Sequence, residues 1–243
     1  MKIAKMTGIF LKEQLRTPLG VIWSVISPAV LFFFMHFDDI DRKSGDKQWL
    51  LQQVGWFIGY ISLSVILFSY CLYLIGRRES GFVATFIYNR TSKFIFILSQ
   101  MLASLVMLFI YLTFFMAIVF IGFQVTPGEE FLRLLLSGMV LSILIMPAFT
   151  WLAGLPVTFP TANIIFSVLL MMFMLFGMIA LKKEMAVISL TNSVNPLLIY
   201  SAWLSEGKSP LFSTGALLFY CLMLLSSLLT VYRFRTEPVW STQ

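Results

Sequence analysis

Residues 94–123 read FIFILSQMLASLVMLFIYLTFFMAIVFIGF, thirty positions without an Asp, Glu, Lys or Arg. A helix crosses the hydrocarbon core of a bilayer with about 20 predominantly apolar residues. In lipid every backbone amide needs an internal partner, so a spanning element is either a helix or a strand of a closed barrel. A barrel strand would alternate apolar and polar residues; this run is continuously apolar, which selects a helix. It is also longer than a perpendicular crossing requires, so the helix is expected to tilt or to begin with an interfacial turn.

The rest of the chain has the same character. Of 243 residues, 59% are apolar and 12% charged, with 25 Phe and 14 Met and a mean hydropathy of +0.92. A soluble domain is closer to half apolar and a quarter charged, so the solvent for this surface is lipid. Six spans are expected, at about 19–37, 54–76, 94–123, 131–153, 162–181 and 210–232. The chain then reads as an all-α membrane protein. Residues 1–17 form a cytoplasmic amphipathic interfacial helix, 18–232 a six-span transmembrane domain, and 233–243 a cytoplasmic tail. Cys71 and Cys221 both lie in apolar runs and are expected to be unpaired. Lys12, Glu13 and Arg16 interrupt the N-terminal segment before the first long apolar run, so no cleavable signal is expected.

Charge sets the orientation. With the N-terminus inside, Lys2, Lys5, Lys12, Arg16, Arg77, Arg78, Arg90, Lys93, Arg233 and Arg235 fall on the inner side. Arg42, Lys43, Lys47, Arg133, Lys182, Lys183 and Lys208 fall outside, with eight of the eleven acids. The positive-inside rule therefore puts both termini in the cytoplasm. The net charge of +6 is a topology signal suited to anionic inner-leaflet lipid, and not a nucleic-acid footprint.

Two segments fall outside the simple span pattern. In residues 2–17, Ile3, Met6 and Phe10 share one helical face, while Lys2, Lys5, Lys12, Glu13 and Arg16 crowd the other. Such a helix lies flat in the interface and offers a surface to a cytoplasmic partner. Residues 186–204 are apolar but contain Thr191, Asn192, Ser193, Asn195 and Pro196; a re-entrant or interfacial outer segment is favoured over a seventh span.

Missing chemistry narrows the function. His36 is the one histidine, so His-dependent metal sites and a Ser–His protease find no partners. Gly207-Lys208-Ser209 ends like a phosphate-binding loop, but Ala202 stands where its first glycine belongs. Proton- or sodium-coupled carriers keep ionisable groups near the midplane, and these spans have none at their centres. Uphill transport would draw its energy from another subunit. Small residues at i, i+4 make packing faces: Gly55/Gly59, Ser99/Ala103 and Gly138/Ser142. The first of these is the candidate for ordinary packing or for a dimer interface. Pro147, Pro156 and Pro160 should break the helices around the turn between the fourth and fifth spans.

Three sequence features together resemble the ABC-2-type permease subunits of ATP-driven exporters. They are the basic amphipathic helix ending Arg16-Thr17-Pro18, the run from Arg77-Arg78-Glu79-Ser80-Gly81-Phe82 to Phe86 after the second span, and Asn195-Pro196 before the last span. The family often carries Arg-Asp-Pro where this chain has Thr17, and Ser/Thr-Pro where it has Asn89-Arg90-Thr91-Ser92. The resemblance implies a cytoplasmic coupling element of Arg77, Arg78, Glu79, Gly81, Phe82 and Phe86, with Arg16, docking on a separate ABC ATPase. It places Asn195 and Pro196 in an outer re-entrant segment. It further implies a second permease subunit, a bacterial cell-membrane location, no catalytic residue and no cofactor of the chain's own, ATP and Mg being bound by the partner. An amphipathic or hydrophobic substrate fits: a drug, a peptide antibiotic or bacteriocin, or a lipid-linked molecule. The alternative is a non-transporting immunity or sensor protein that binds a peptide at the outer surface.

Overall fold

The computed structural model describes residues 2–16, 18–87, 89–181, 195–206 and 214–232, and all regular structure among them is helical. Thr17, residues 186–194 of the outer segment, Gly207 to Ser209, and the tail with Arg233 and Arg235 lie outside the described residues.

The chain opens with α1 (Lys2–Leu15), then α2 (Pro18–Met35) and the short α3 (Asp39–Arg42). The helix α4 (Lys47–Ser64) runs without a break through a π-helical stretch (Val65–Leu72) into α5 (Tyr73–Glu79). Next come α6 (Phe82–Phe86), α7 (Arg90–Gly122), and α8 (Glu129–Ile145), which tightens into a 3-10 helix (Met146–Gly154). The last three are α9 (Phe159–Leu181), α10 (Pro196–Glu206) and α11 (Thr214–Tyr232). Four helical stretches are long and apolar enough to cross a membrane: Lys47–Glu79, Thr91–Gly122, Glu129–Gly154 and Phe159–Ile179. They coincide with the second to fifth expected spans. At the first and sixth stand α2 and α11, of 18 and 19 residues.

Local chemistry fixes the boundaries. Asp46 caps α4, its carboxylate accepting from the Trp49 amide at 3.1 Å. Asn89 caps α7 in the same way, through the Ser92 amide at 2.9 Å. Gly81 takes φ +75° between α5 and α6, a left-handed turn that glycine makes without steric cost. Pro147 lies at the start of the 3-10 stretch; its ring cannot sit in an α-helix interior without losing a bond, so the helix tightens there.

The long helices sort charge to two ends. Gly76 meets Phe159 and Gly177 meets Trp56, so α9 runs antiparallel to the Lys47–Glu79 helix. Gly154 meets Thr230, which places the end of α11 beside the start of α9. One end thus collects α1, α5, α6 and the start of α7, with Lys5, Lys12, Arg16, Arg77, Arg78 and Lys93. The other collects Asp38, Asp39, Asp41, Asp46, Glu129 and Glu130, tied by Lys47–Glu130 at 2.6 Å. Near the acidic end Phe32, Phe57, Phe115 and Phe123 interlock edge to face, and His36 rests on Trp49 as an interfacial residue.

Candidate functional site

At the basic end, α1 lies across the start of α7, where the Ser99 hydroxyl donates to the Ile3 carbonyl at 3.4 Å. Phe10, the centre of the apolar face read from sequence, is buried against Tyr73 and Phe96. Arg77 closes over it. Its guanidinium sits 5.2 Å from the Phe10 ring, 5.2 Å from Tyr73 and 4.8 Å from Phe82, and it ion-pairs with Glu13 of α1. Each cation–π contact contributes on the order of 0.5–2 kcal/mol according to burial. One side chain thus joins α1, α5 and α6 into a single body.

Arg78 turns the other way. It is wholly buried and donates to three carbonyls of the turn entering α9: Ala153 at 3.2 Å, Leu155 at 2.9 Å and Val157 at 2.7 Å. Its Nε reaches Glu79 Oε1 at 3.1 Å, and the Glu79 side chain is itself 9% exposed. Arg77, Arg78 and Glu79, expected at a docking surface, make internal contacts. Arg78 is drawn in because the 3-10 end and the tight bend at Leu155, Pro156 and Val157 present carbonyls with room for a further donor. What remains outward is Arg16, Lys12, Ser80, Ala84 and Thr85. Phe82 is half-buried under Arg77, and Phe86 ends α6. Gly81 supplies the turn that presents this rim.

Behind the rim a polar track enters the helices. The Ser69 carbonyl, in the π-helical stretch, accepts from Gln14 Nε2 at 3.3 Å, Gln100 Nε2 at 2.7 Å and Ser104 Oγ at 2.9 Å. A π turn widens the helix and releases carbonyls from their ordinary partners, which is how three side chains reach one oxygen. Alongside runs a cleft of about 290 Å³ lined by Glu13, Gln14, Ser24, Phe68, Ser69, Tyr73 and Tyr111. Sequence reasoning weighed the absence of charges in the spans and passed over these neutral polar groups. Gln14 was findable, since it stands one turn after Phe10 on the apolar face of α1. The π turn carries no sequence signature.

At the opposite end, Asn195 and Pro196 act as a helix start. The Asn195 side-chain Oδ1 accepts from the Leu197 amide at 3.0 Å and its Nδ2 donates to the Phe173 carbonyl at 2.9 Å, while Pro196 occupies the first position of α10. Phe173 lies eight residues before the end of α9, about 12 Å inside it. From that depth α10 rises back toward the acidic end: Leu197 and Tyr200 meet Gly59, then Ser201 and Leu204 meet Gly55. The described helix α10 has eleven residues, fewer than a bilayer crossing requires, and it packs along α4 rather than standing apart from it. Gly55 and Gly59 are therefore filled by the chain's own α10, which takes that face away from a dimer interface. The other two small-residue pairs are also internal: Gly138 meets Ile58, the Ser142 hydroxyl bonds Tyr200 Oη at 2.6 Å, and Ser99 meets α1.

The sequence model of the ABC-2 type transporter matches residues 5–207. The chain belongs to the ABC-2 type transporter family. Within the family it is 45% identical to Protein McbE of Escherichia coli over 243 residues, covering 100% of both chains. No solved structure matches it. As an ABC-2 protein it is a membrane protein, in keeping with its four long apolar helices. The matched region takes in the Arg77 hub, the polar cleft and α10. The described residues contain no cluster of His, Cys, Asp and Glu that could hold a metal ion, and Cys71 and Cys221 are free.

Proposed function

We propose that this chain is the membrane-spanning permease subunit of an ATP-driven exporter in the bacterial cell membrane. In this reading α2 and α11 complete six spans, both termini are cytoplasmic, and the basic end faces the cytoplasm. Two such subunits, identical or similar, pair and bind two cytoplasmic ABC ATPase chains. The ATPases bind ATP and Mg, and this chain catalyses nothing itself. The observation that carries the reading is the Arg77 hub. A single guanidinium fastens the exposed α1 and α6 rim to the top of a transmembrane helix, so a force applied to the rim reaches the polar cleft through Glu13 and Gln14. Differential contact with the ATPase in its open and closed states is what would shift the permease between inward and outward access.

The substrate class follows from the cleft. Tyr, Ser and Gln groups beside Phe68 suit a molecule with both hydrogen-bonding and apolar parts. An amphipathic peptide fits, as does a drug or lipid-linked molecule.

The test is purification of the tagged chain from its native host in mild detergent. An ABC ATPase should co-purify in equal stoichiometry, and Arg16→Glu with Thr85→Asp should release it while the chain still inserts. A functional complex that contains no ATPase would overturn the proposal in favour of an immunity or sensor protein without transport.

A further inference from the structure

At the acidic end, an open cleft of about 380 Å³ lies between α4, α8 and α10, and it extends into a recess of about 200 Å³ that shares Arg133, Leu134 and Leu204. The helix α10 supplies one wall with Leu204 and Trp203, and Leu134 lines the cleft as its apolar floor. Gln48 and Gln52 stand one helical turn apart on α4 and face in from the other side. Among the described residues, the side chains of Gln48, Gln52 and Arg133 make no hydrogen bond or close ion pair. An apolar floor under a few convergent polar groups is the general form of a small-ligand site.

We propose that this cleft binds a short peptide segment through a carboxylate, with Arg133 on the carboxylate and the Gln48 and Gln52 amides on the peptide backbone. Arg133 presents a planar fork that matches a carboxylate. The Glu130 carboxylate is held by Lys47 at 2.6 Å, whereas Arg133 makes no close ion pair with it. A glutamine offers both a donor and an acceptor, which is the pattern of a peptide unit. A lipid phosphate is the poorer occupant, being all acceptor beside two amide carbonyls and the Glu130 carboxylate. Because Leu204 and Trp203 belong to α10, an occupant also touches that helix. The proposal borrows from the exporter reading only the side on which the cleft opens; binding here needs no ATPase.

The experiment uses the full chain in phosphatidylcholine nanodiscs without any ATPase. The probe is a mixed-sequence hexapeptide pool with free carboxyl termini, set against the same pool amidated and depleted of Asp and Glu, with retention read by mass spectrometry. The carboxylate pool should be retained at least fivefold over the amidated one. Arg133→Gln should abolish that preference, a change of about tenfold in affinity for a charge-assisted contact. Gln52→Leu should lower retention of both pools. Equal retention of the two pools, or an unchanged preference in Arg133→Gln, overturns the proposal. So does displacement of the peptides by phosphatidylglycerol in the nanodisc, which would assign the cleft to lipid. Arg133 is exposed, and a matching thermal unfolding curve for Arg133→Gln shows that the variant folds. Loss of the peptide preference with an ATPase still co-purifying would sink this site and leave the exporter reading standing.

Discussion

Two adjacent arginines do opposite work. Arg77 reaches outward to α1 and α6, and Arg78 reaches inward to three carbonyls. Helical geometry turns successive side chains by about 100°, so neighbours in sequence cannot share a task on one face. Arg78 is the more exposed to loss. Removing it takes away the guanidinium shared by the Ala153, Leu155 and Val157 carbonyls and by the largely buried Glu79 carboxylate. Breaking a buried charge pair costs about 3–5 kcal/mol, so Arg78→Ala should lower the midpoint of thermal unfolding in detergent by many degrees. Arg78→Lys should fall between, because an ammonium cannot present the fork that serves three carbonyls at once. A melt for Arg78→Ala that overlays the parent curve would contradict the clamp. The family resemblance placed these arginines in a coupling element as an expectation. Their direction was hidden, because it depends on the carbonyls of a turn more than seventy residues away.

At the scale of elements, the joint between α4 and α10 turns on two glycines with different tolerances. A methyl at Gly59 would lie 2.8 Å from Tyr200 Cβ and 3.3 Å from Leu197 Cα, whereas at Gly55 the nearest atoms are 3.4 Å away. Gly59→Ala should therefore destabilise by about 1–3 kcal/mol through overpacking, and Gly55→Ala should be close to neutral. Comparing the two melts checks it; equal shifts would mean that α10 does not approach so closely. The glycine spacing was legible as a packing face, but a small-residue pattern names no partner. The partner here is α10, a short helix whose packing on α4 hydropathy alone does not reveal. Of the helix boundaries, the interruption at Pro147 was read from sequence, while the caps at Asp46, Asn89 and Asn195 act through equally local backbone chemistry and were not.

Across the whole molecule the basic and acidic ends are separated by the length of the long helices, so orientation can be read from two positions. Thr85→Cys at the basic rim should react with a membrane-impermeant maleimide only after cells are opened, and Asp41→Cys at the other end should react in intact cells. The reverse pattern would invert the topology and with it the docking rim. Cys71 is buried and Cys221 lies in the apolar helix α11, so neither should give aqueous background. Composition and charge made the helical, lipid-facing class and the grouping of charges readable. The neutral polar track was not, since Ser69, Gln100 and Ser104 are each unremarkable in an apolar run and meet only through a local change of helical pitch. That pitch change also sets a phase. The π-helical stretch inserts extra residues into a helix that begins at Lys47 and ends at Glu79, so everything beyond it is rotated relative to everything before. The face that grips α10 and the face that carries Arg77 and Arg78 are therefore indexed to each other like two cogs on one shaft. One residue more or fewer between Val65 and Leu72 would turn the lower cog by about 100°, sending Arg78 out of its socket while leaving Gly59 in place.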